Sequence, residues 1–146
     1  MSRMSRVKKL SSPRLELCGA QLLARLIKKV LPILCTPLDG VHLWTDSRLV
    51  LTWLQYIPTR WNTYVDKRVS EIQDITSNFF WHHVASEDNP ADILSRRTGP
   101  EELWHNSQWW NGPSWLEHSE ELWPHSNIVL EEAPLEQRKH MYEWQT

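Results

Sequence analysis

Apolar residues recur with a helical period along the first part of the chain. A stretch without helix breakers runs from Arg14 to Leu31, after Ser12, which can cap it, and before Pro32. At about 100° per residue, one stripe of this predicted helix is apolar. That stripe contains Ala20, Leu23, Ile27 and Val30. Glu16 projects with the same stripe, so the pattern places a carboxylate on the side that is predicted to face the core.

The next sixty residues alternate between extended and helical patterns. The predicted elements are a buried strand over 41–45, helices over 47–56 and 63–74, a strand over 79–84 and a short helix over 90–94. This order predicts an α/β fold in which a parallel pair of strands is flanked by helices.

Beyond Gly99 the periodicity ends, and proline, tryptophan and glutamate follow one another without a regular spacing. We therefore divide the chain into a domain over 1–98 and a Trp-rich, irregular extension over 99–146. The part after about Leu116 is predicted as an acidic tail.

Composition excludes several classes of protein. The length of 146 residues suits one domain, and the four glycines lie too far apart for a phosphate-binding loop. Cys18 and Cys35 fit neither a disulfide framework nor a CxxC metal site, so we expect two reduced thiols. Lys28 and Lys29 interrupt the longest apolar run. We therefore expect an intracellular protein with no transmembrane segment and no signal peptide.

Charge changes sign along the chain. Residues 1–40 carry a net charge of +6, residues 41–116 of −3 and residues 117–146 of −5. The basic groups at the start are Arg3, Arg6, Lys8, Lys9 and Arg14. They could attract nucleic acid phosphates, or they could simply form a solvated flank of the first helix.

Three carboxylates occupy positions where chemistry often takes place, and each also has a structural explanation. Asp46 follows the first strand, where α/β sheets bind ligands, but it could instead cap the second helix. Asp92 lies in the first turn of the last helix, where it could form a capping box with Asn89. Glu16 could interact with the positive end of its helix dipole. If the three meet in one cleft, they suit Mg²⁺, which prefers oxygen ligands.

Four segments of the chain resemble a known family. They are SPRLELCGAQLLARL, WTDSRLVLTWLQ, PTRWNTYVDKRVSEIQDI and WHHVASEDNPADILSR. In this order and spacing they resemble the ribonuclease H-like domain of BEL/Pao retrotransposon polyproteins. ELWHNSQWWNGPSWL resembles the segment that follows that domain, and the similarity spans about residues 6 to 116.

The resemblance implies an enzyme that cleaves the RNA strand of an RNA/DNA hybrid with carboxylates that hold two magnesium ions. By motif it assigns Glu16, Asp46 and Asp92 as catalytic metal ligands. Other motif residues, to which we assign no chemistry, are Ser47, Asn89, Ser95 and Arg96. His83 lies near the position of a histidine that some relatives use, but we predict an ordinary strand histidine there.

One feature departs from the family pattern. The family's first carboxylate lies on the first strand, upstream of the PRLEL motif, whereas no acid precedes Glu16 here. Residues 6–10 (RVKKL) resemble the end of the third strand. We therefore expect a partial ribonuclease H-like fold, truncated at its N-terminus and without the first two antiparallel strands. Mg²⁺ binding should then be weak or absent and hydrolysis negligible.

The alternative to an inactive retrotransposon remnant is a module without catalysis. The strand over 41–45 would have an unpaired apolar edge, which a protein partner could extend. Either Trp109, Trp110 and Trp115 cover the chain's own core, or five tryptophans form an exposed patch for such a partner. They are Trp104, Trp109, Trp110, Trp115 and Trp123. Nucleic acid binding without cleavage, through the basic start of the chain, is a further possibility.

Overall fold

The computed structural model describes residues 11–124 and 136–138, which form a mixed α/β structure. In chain order the elements are α1 (Ser12–Val30), β1 (His42–Thr45), α2 (Arg48–Gln55), α3 (Thr63–Ile75), β2 (Phe80–His83), α4 (Pro90–Ser95), α5 (Pro100–Trp104) and α6 (Ser107–Asn111). Single 3-10 turns cover Leu31–Ile33, Pro58–Arg60, Ser86–Asp88, Ser114–Glu117 and Glu120–Leu122. The predicted elements before residue 98 are all present, with ends that differ by one or two residues.

The first helix departs from its prediction in detail. Ser11, rather than Ser12, occupies the N-cap position, and the Ser12 hydroxyl donates to the Glu16 carboxylate at 3.2 Å. The buried residues of α1 are Leu17, Ala20 and Ala24, whereas Glu16 is exposed. The prediction that Glu16 faces the core was therefore wrong. The small side chains of Ala20 and Ala24 permit a close approach of α3. They determine which face of α1 packs against the core more than the largest apolar residues do.

The core lies between the three long helices. It consists of Leu17, Ala20 and Ala24 of α1, Val50 and Trp53 of α2, and Trp61, Val65, Val69 and Ile72 in or next to α3. Trp61 is fully buried, and its indole nitrogen donates to the Trp53 carbonyl at 3.2 Å. This hydrogen bond connects the end of α2 to the turn before α3. Most of the folding free energy is expected from these contacts, because apolar burial is the dominant favourable contribution.

The sheet is a parallel pair, as predicted. His42 pairs with Phe80 and Thr45 with His83, and among the described residues β1 and β2 have no other strand neighbour. Side chains alternate between the two faces of a strand, so Leu43 points to the helices and is buried. His42 and Trp44 share the opposite face of the sheet.

The extension beyond residue 98 is more regular than expected. It begins with the short helices α5 and α6 and continues with two 3-10 turns. The second turn lies against the sheet, where Trp123 contacts the Trp44 ring at a centroid distance of 5.4 Å. The described part of the predicted acidic tail, up to Pro124, therefore covers the sheet face that the helices leave open. Sequence periodicity missed this because each element is only three to five residues long.

A short C-terminal segment, Glu136–Arg138, lies beside the turn before α3. The Asn62 amide donates to the Glu136 carbonyl at 2.7 Å, and the Arg138 amide donates to the Arg60 carbonyl at 3.0 Å. Trp61 and Gln137 thereby form an isolated antiparallel bridge. We call Glu136–Arg138 the C-terminal clip.

Within the described ranges, every helix is too short or too polar to cross a membrane.

Candidate functional site

Asp46 lies where β1 ends and α2 begins. The predicted alternative, that Asp46 caps α2, was wrong, because Ser47 is the N-cap and its hydroxyl accepts from the Val50 amide at 3.2 Å. The Asp46 side chain is half-buried, and no hydrogen bond or ion pair reaches it from the residues that the structure describes. Because Ser47 is the N-cap, Asp46 has no capping role. Its carboxylate is therefore available to a ligand at the carboxyl end of the strand.

Asp92 lies in the first turn of α4, and Asn89 caps that helix. The Asn89 side chain accepts from the Ala91 amide at 3.2 Å, whereas the Asn89 amide bonds to the Ser86 carbonyl rather than to Asp92. The reciprocal capping box is therefore not formed. Among the described residues, the cation nearest to Asp92 is Arg96, whose guanidinium lies 3.9 Å from the Asp92 carboxylate.

The three predicted metal ligands differ in their surroundings. Glu16 is exposed and bonds to Ser12, Asp92 lies beside Arg96, and Asp46 is half-buried at the sheet. Over residues 11–124 and 136–138, no group of three or more His, Cys, Asp or Glu side chains is arranged to hold a metal ion. The magnesium site and the assignment of all three carboxylates as its ligands therefore stay predictions.

We assign no catalytic or metal-binding role to His83 or to the two cysteines. His83 is half-buried in β2. Cys18 and Cys35 are free thiols, as expected from the sequence. Cys18 contacts the Tyr64 hydroxyl at 3.2 Å, and this hydrogen bond, together with burial, raises the pKa of Tyr64.

Of the basic groups at the start of the chain, Arg14 is the one within the described residues. Its guanidinium donates to both carboxylate oxygens of Glu136, at 2.7 and 2.9 Å, and lies over the Tyr64 ring. The hydrogen bond to Glu136 raises the pKa of Arg14. The Arg14 guanidinium is therefore paired with a carboxylate of the C-terminal clip and is not an unpaired cation for a phosphate. Residues 6–10, which resemble a third strand, lie outside the described residues.

The predicted tryptophan patch is divided by the structure. Trp104 and Trp110 are 70% and 59% exposed and contact each other at a centroid distance of 5.8 Å. Trp109, Trp115 and Trp123 are half-buried. Of the three tryptophans that could have covered the core, Trp109 and Trp115 are half-buried, but Trp110 is exposed.

A cluster that sequence reasoning missed covers the outer face of the sheet. His42 contacts the His82 ring nitrogen at 3.0 Å and the Glu120 carboxylate at 3.2 Å. Trp44 lies 5.0 Å from His82, between ring centroids, and close to Trp115 and Trp123. The alternation of side chains along the two strands could have placed the three strand residues His42, Trp44 and His82 on one face. No periodic pattern in the sequence indicated that residues 115–123 would contact this face of the sheet.

Comparison with known families matches the first part of the chain. Residues 1–47 match the family model of the Pao retrotransposon-like RNaseH-like domain. The resemblance is confirmed over this segment, which includes Glu16 and Asp46 but not Asp92. No curated protein and no solved structure matches the chain at a significant level.

Proposed function

We propose that this chain is a ribonuclease H-like module of Pao retrotransposon type and that the 146-residue chain has little or no hydrolytic activity of its own. The observation that carries the proposal is Asp46, a half-buried carboxylate without a structural partner among the described residues, at the end of a parallel strand inside the matched segment. Ligand sites of α/β sheets lie at this end of the strands.

The arrangement of the other acids supports the expectation of little activity. Hydrolysis of a phosphodiester by two metal ions requires ions about 4 Å apart that share carboxylate ligands. Glu16 is exposed and bonds to Ser12, and Asp92 lies beside Arg96. Among the described residues, no group of three or more His, Cys, Asp or Glu side chains is arranged to hold a metal ion. The expected ligand, an RNA/DNA hybrid, is the one that the family resemblance implies.

A cleavage assay tests this proposal. The full chain is incubated with an end-labelled RNA/DNA hybrid and Mg²⁺, in parallel with the Asp46→Asn variant and with a Glu117→Gln control on the exposed surface. We expect all three proteins to leave the RNA intact. Cleavage by the chain and the control that is lost in Asp46→Asn would contradict inactivity and identify an enzyme. Cleavage that persists in Asp46→Asn would indicate a contaminating nuclease.

A second candidate is a protein-interaction module, which the pair of exposed indoles favours. Trp104 and Trp110 present apolar surface to solvent, and the outer edge of β1 is open among the described residues. Binding of a protein partner should then be lost in Trp110→Ala and kept in Asp92→Asn. Binding that is kept in Trp110→Ala and lost in Asp92→Asn would indicate instead that the carboxylates carry the function.

A further inference from the structure

The outer face of the sheet carries a cavity of about 400 Å³. Its lining residues are Trp44, His82, Glu120, Glu121, Trp123 and Pro124. A cavity of this volume lies within the range of small-molecule sites in proteins. None of the three carboxylates that the family resemblance assigns lines this cavity.

Two indole rings form the walls of this cavity. The Trp44 and Trp123 centroids are 5.4 Å apart and their planes meet at 63°. A cation is attracted to an aromatic face within about 6 Å of the ring centroid. Because both rings line the cavity, a cation inside it can contact both of them.

Two carboxylates complete the cavity. Glu120 and Glu121 lie on the same 3-10 turn, and the half-buried His42 holds one Glu120 oxygen at 3.2 Å. From Thr98 to Pro124 the chain has five acidic side chains and no lysine or arginine. The local field thus favours a positive ligand.

We propose that this cavity binds an organic cation with an alkylated ammonium head group. Aromatic walls favour a weakly hydrated cation over Na⁺ or Mg²⁺, because the ligand must give up its water to contact the rings. The volume also leaves space for the chain to which the head group is attached. The head group could belong to a free small molecule or to a methylated lysine side chain in a peptide.

Calorimetric titration of the full chain distinguishes these sources. The probes are choline, a short peptide with one trimethyl-lysine, and 3,3-dimethyl-1-butanol, which has the shape of choline without its charge. We expect saturable binding of a cation and about tenfold weaker binding of the neutral probe, since one such cation–π contact corresponds to roughly that factor. Tighter binding of the peptide than of choline would assign the side-chain source, and equal or weaker binding would assign the free molecule.

Variants locate the site. Trp123→Leu removes one wall, and the double variant Glu120→Gln/Glu121→Gln keeps the shape but removes the charge. The double variant lies on an exposed turn, so it tests the site even if Trp123→Leu fails to fold. Both variants should weaken cation binding at least about threefold, whereas Glu117→Gln, which does not line the cavity, should leave it unchanged.

The proposal is wrong if neither cation binds saturably at millimolar concentration. It is equally wrong if the neutral probe binds as well as choline, or if the double glutamine variant binds with the affinity of the original chain.

Discussion

Replacement of Trp61 by phenylalanine tests the packing between α2 and α3. Trp61 is fully buried, lies 6.4 Å from the Trp53 ring and 5.9 Å from the Tyr56 ring between centroids, and donates to the Trp53 carbonyl. Phenylalanine keeps an aromatic ring in this space. It removes the smaller part of the indole and the only donor that the side chain has.

Two contributions determine the size of the effect. Loss of apolar area and the space left behind cost about 1–2 kcal/mol. Loss of a buried hydrogen bond, which leaves the Trp53 carbonyl without this donor, costs roughly 1–2 kcal/mol more. The free energy of unfolding should therefore fall by about 2–4 kcal/mol, a large fraction of the 5–15 kcal/mol that is typical of a domain.

Urea unfolding, followed by far-ultraviolet circular dichroism, measures this change. The midpoint should fall while the slope stays constant, because the surface exposed on unfolding is nearly the same. Trp104→Phe is the matched control, since Trp104 is 70% exposed and its loss should change stability by less than about 0.5 kcal/mol. If the two variants unfold at the same urea concentration, Trp61 does not have the role that we assign to it.

Three further changes probe the helices. Ser47→Ala should lower the free energy of unfolding by about 1 kcal/mol, because the N-cap of α2 is lost. Asp46→Ala should change it by less than about 0.5 kcal/mol. Equal losses in the two variants would contradict the assignment of Ser47 as the cap. Hydrogen bonds from Arg25 lower the pKa of Glu71 from its usual 4.5 to about 2. The stability that they provide is therefore present above pH 4.5 and is lost as the pH falls to about 2. The melting temperature of Glu71→Gln, measured across this pH range, should not show that loss of stability. If the melting temperatures of the variant and of the original chain fall in parallel, the prediction is refuted. Ala24→Leu, at a fully buried contact with α3, should destabilise the chain by about 1–3 kcal/mol in urea, and unchanged stability would show that the interface has room.

The sequence predicted the long elements because their patterns are strong. Arg14 to Leu31 has a helical period over five turns, and the strands on either side of α2 and α3 are bounded by turn residues. Parallel pairing followed from the helices between the strands, since a parallel connection needs a crossover of this length. The matched segment also contains two of the three carboxylates singled out.

The orientation of side chains was harder to predict than the elements. Glu16 shared an apolar stripe in sequence, but α1 turns its small residues Ala20 and Ala24 toward α3 and leaves larger ones in solvent. Which of two neighbouring residues caps a helix was also undecided, because Asp46 and Ser47 are both good N-caps. Contacts between Trp44 and residues 115–123 depend on the path of the chain over more than seventy residues, which no local pattern encodes.

The C-terminal clip has a consequence for the kinetics of folding. Its contacts with Arg14, Trp61 and Asp66 connect residues that are 122, 77 and 72 positions apart. Closure of such long loops costs chain entropy, so these contacts are expected to form after the helical core. Interactions that are absent from the transition state change the rate of unfolding and leave the rate of folding almost unchanged. The clip should therefore lengthen the lifetime of each folded molecule without affecting how fast new molecules fold.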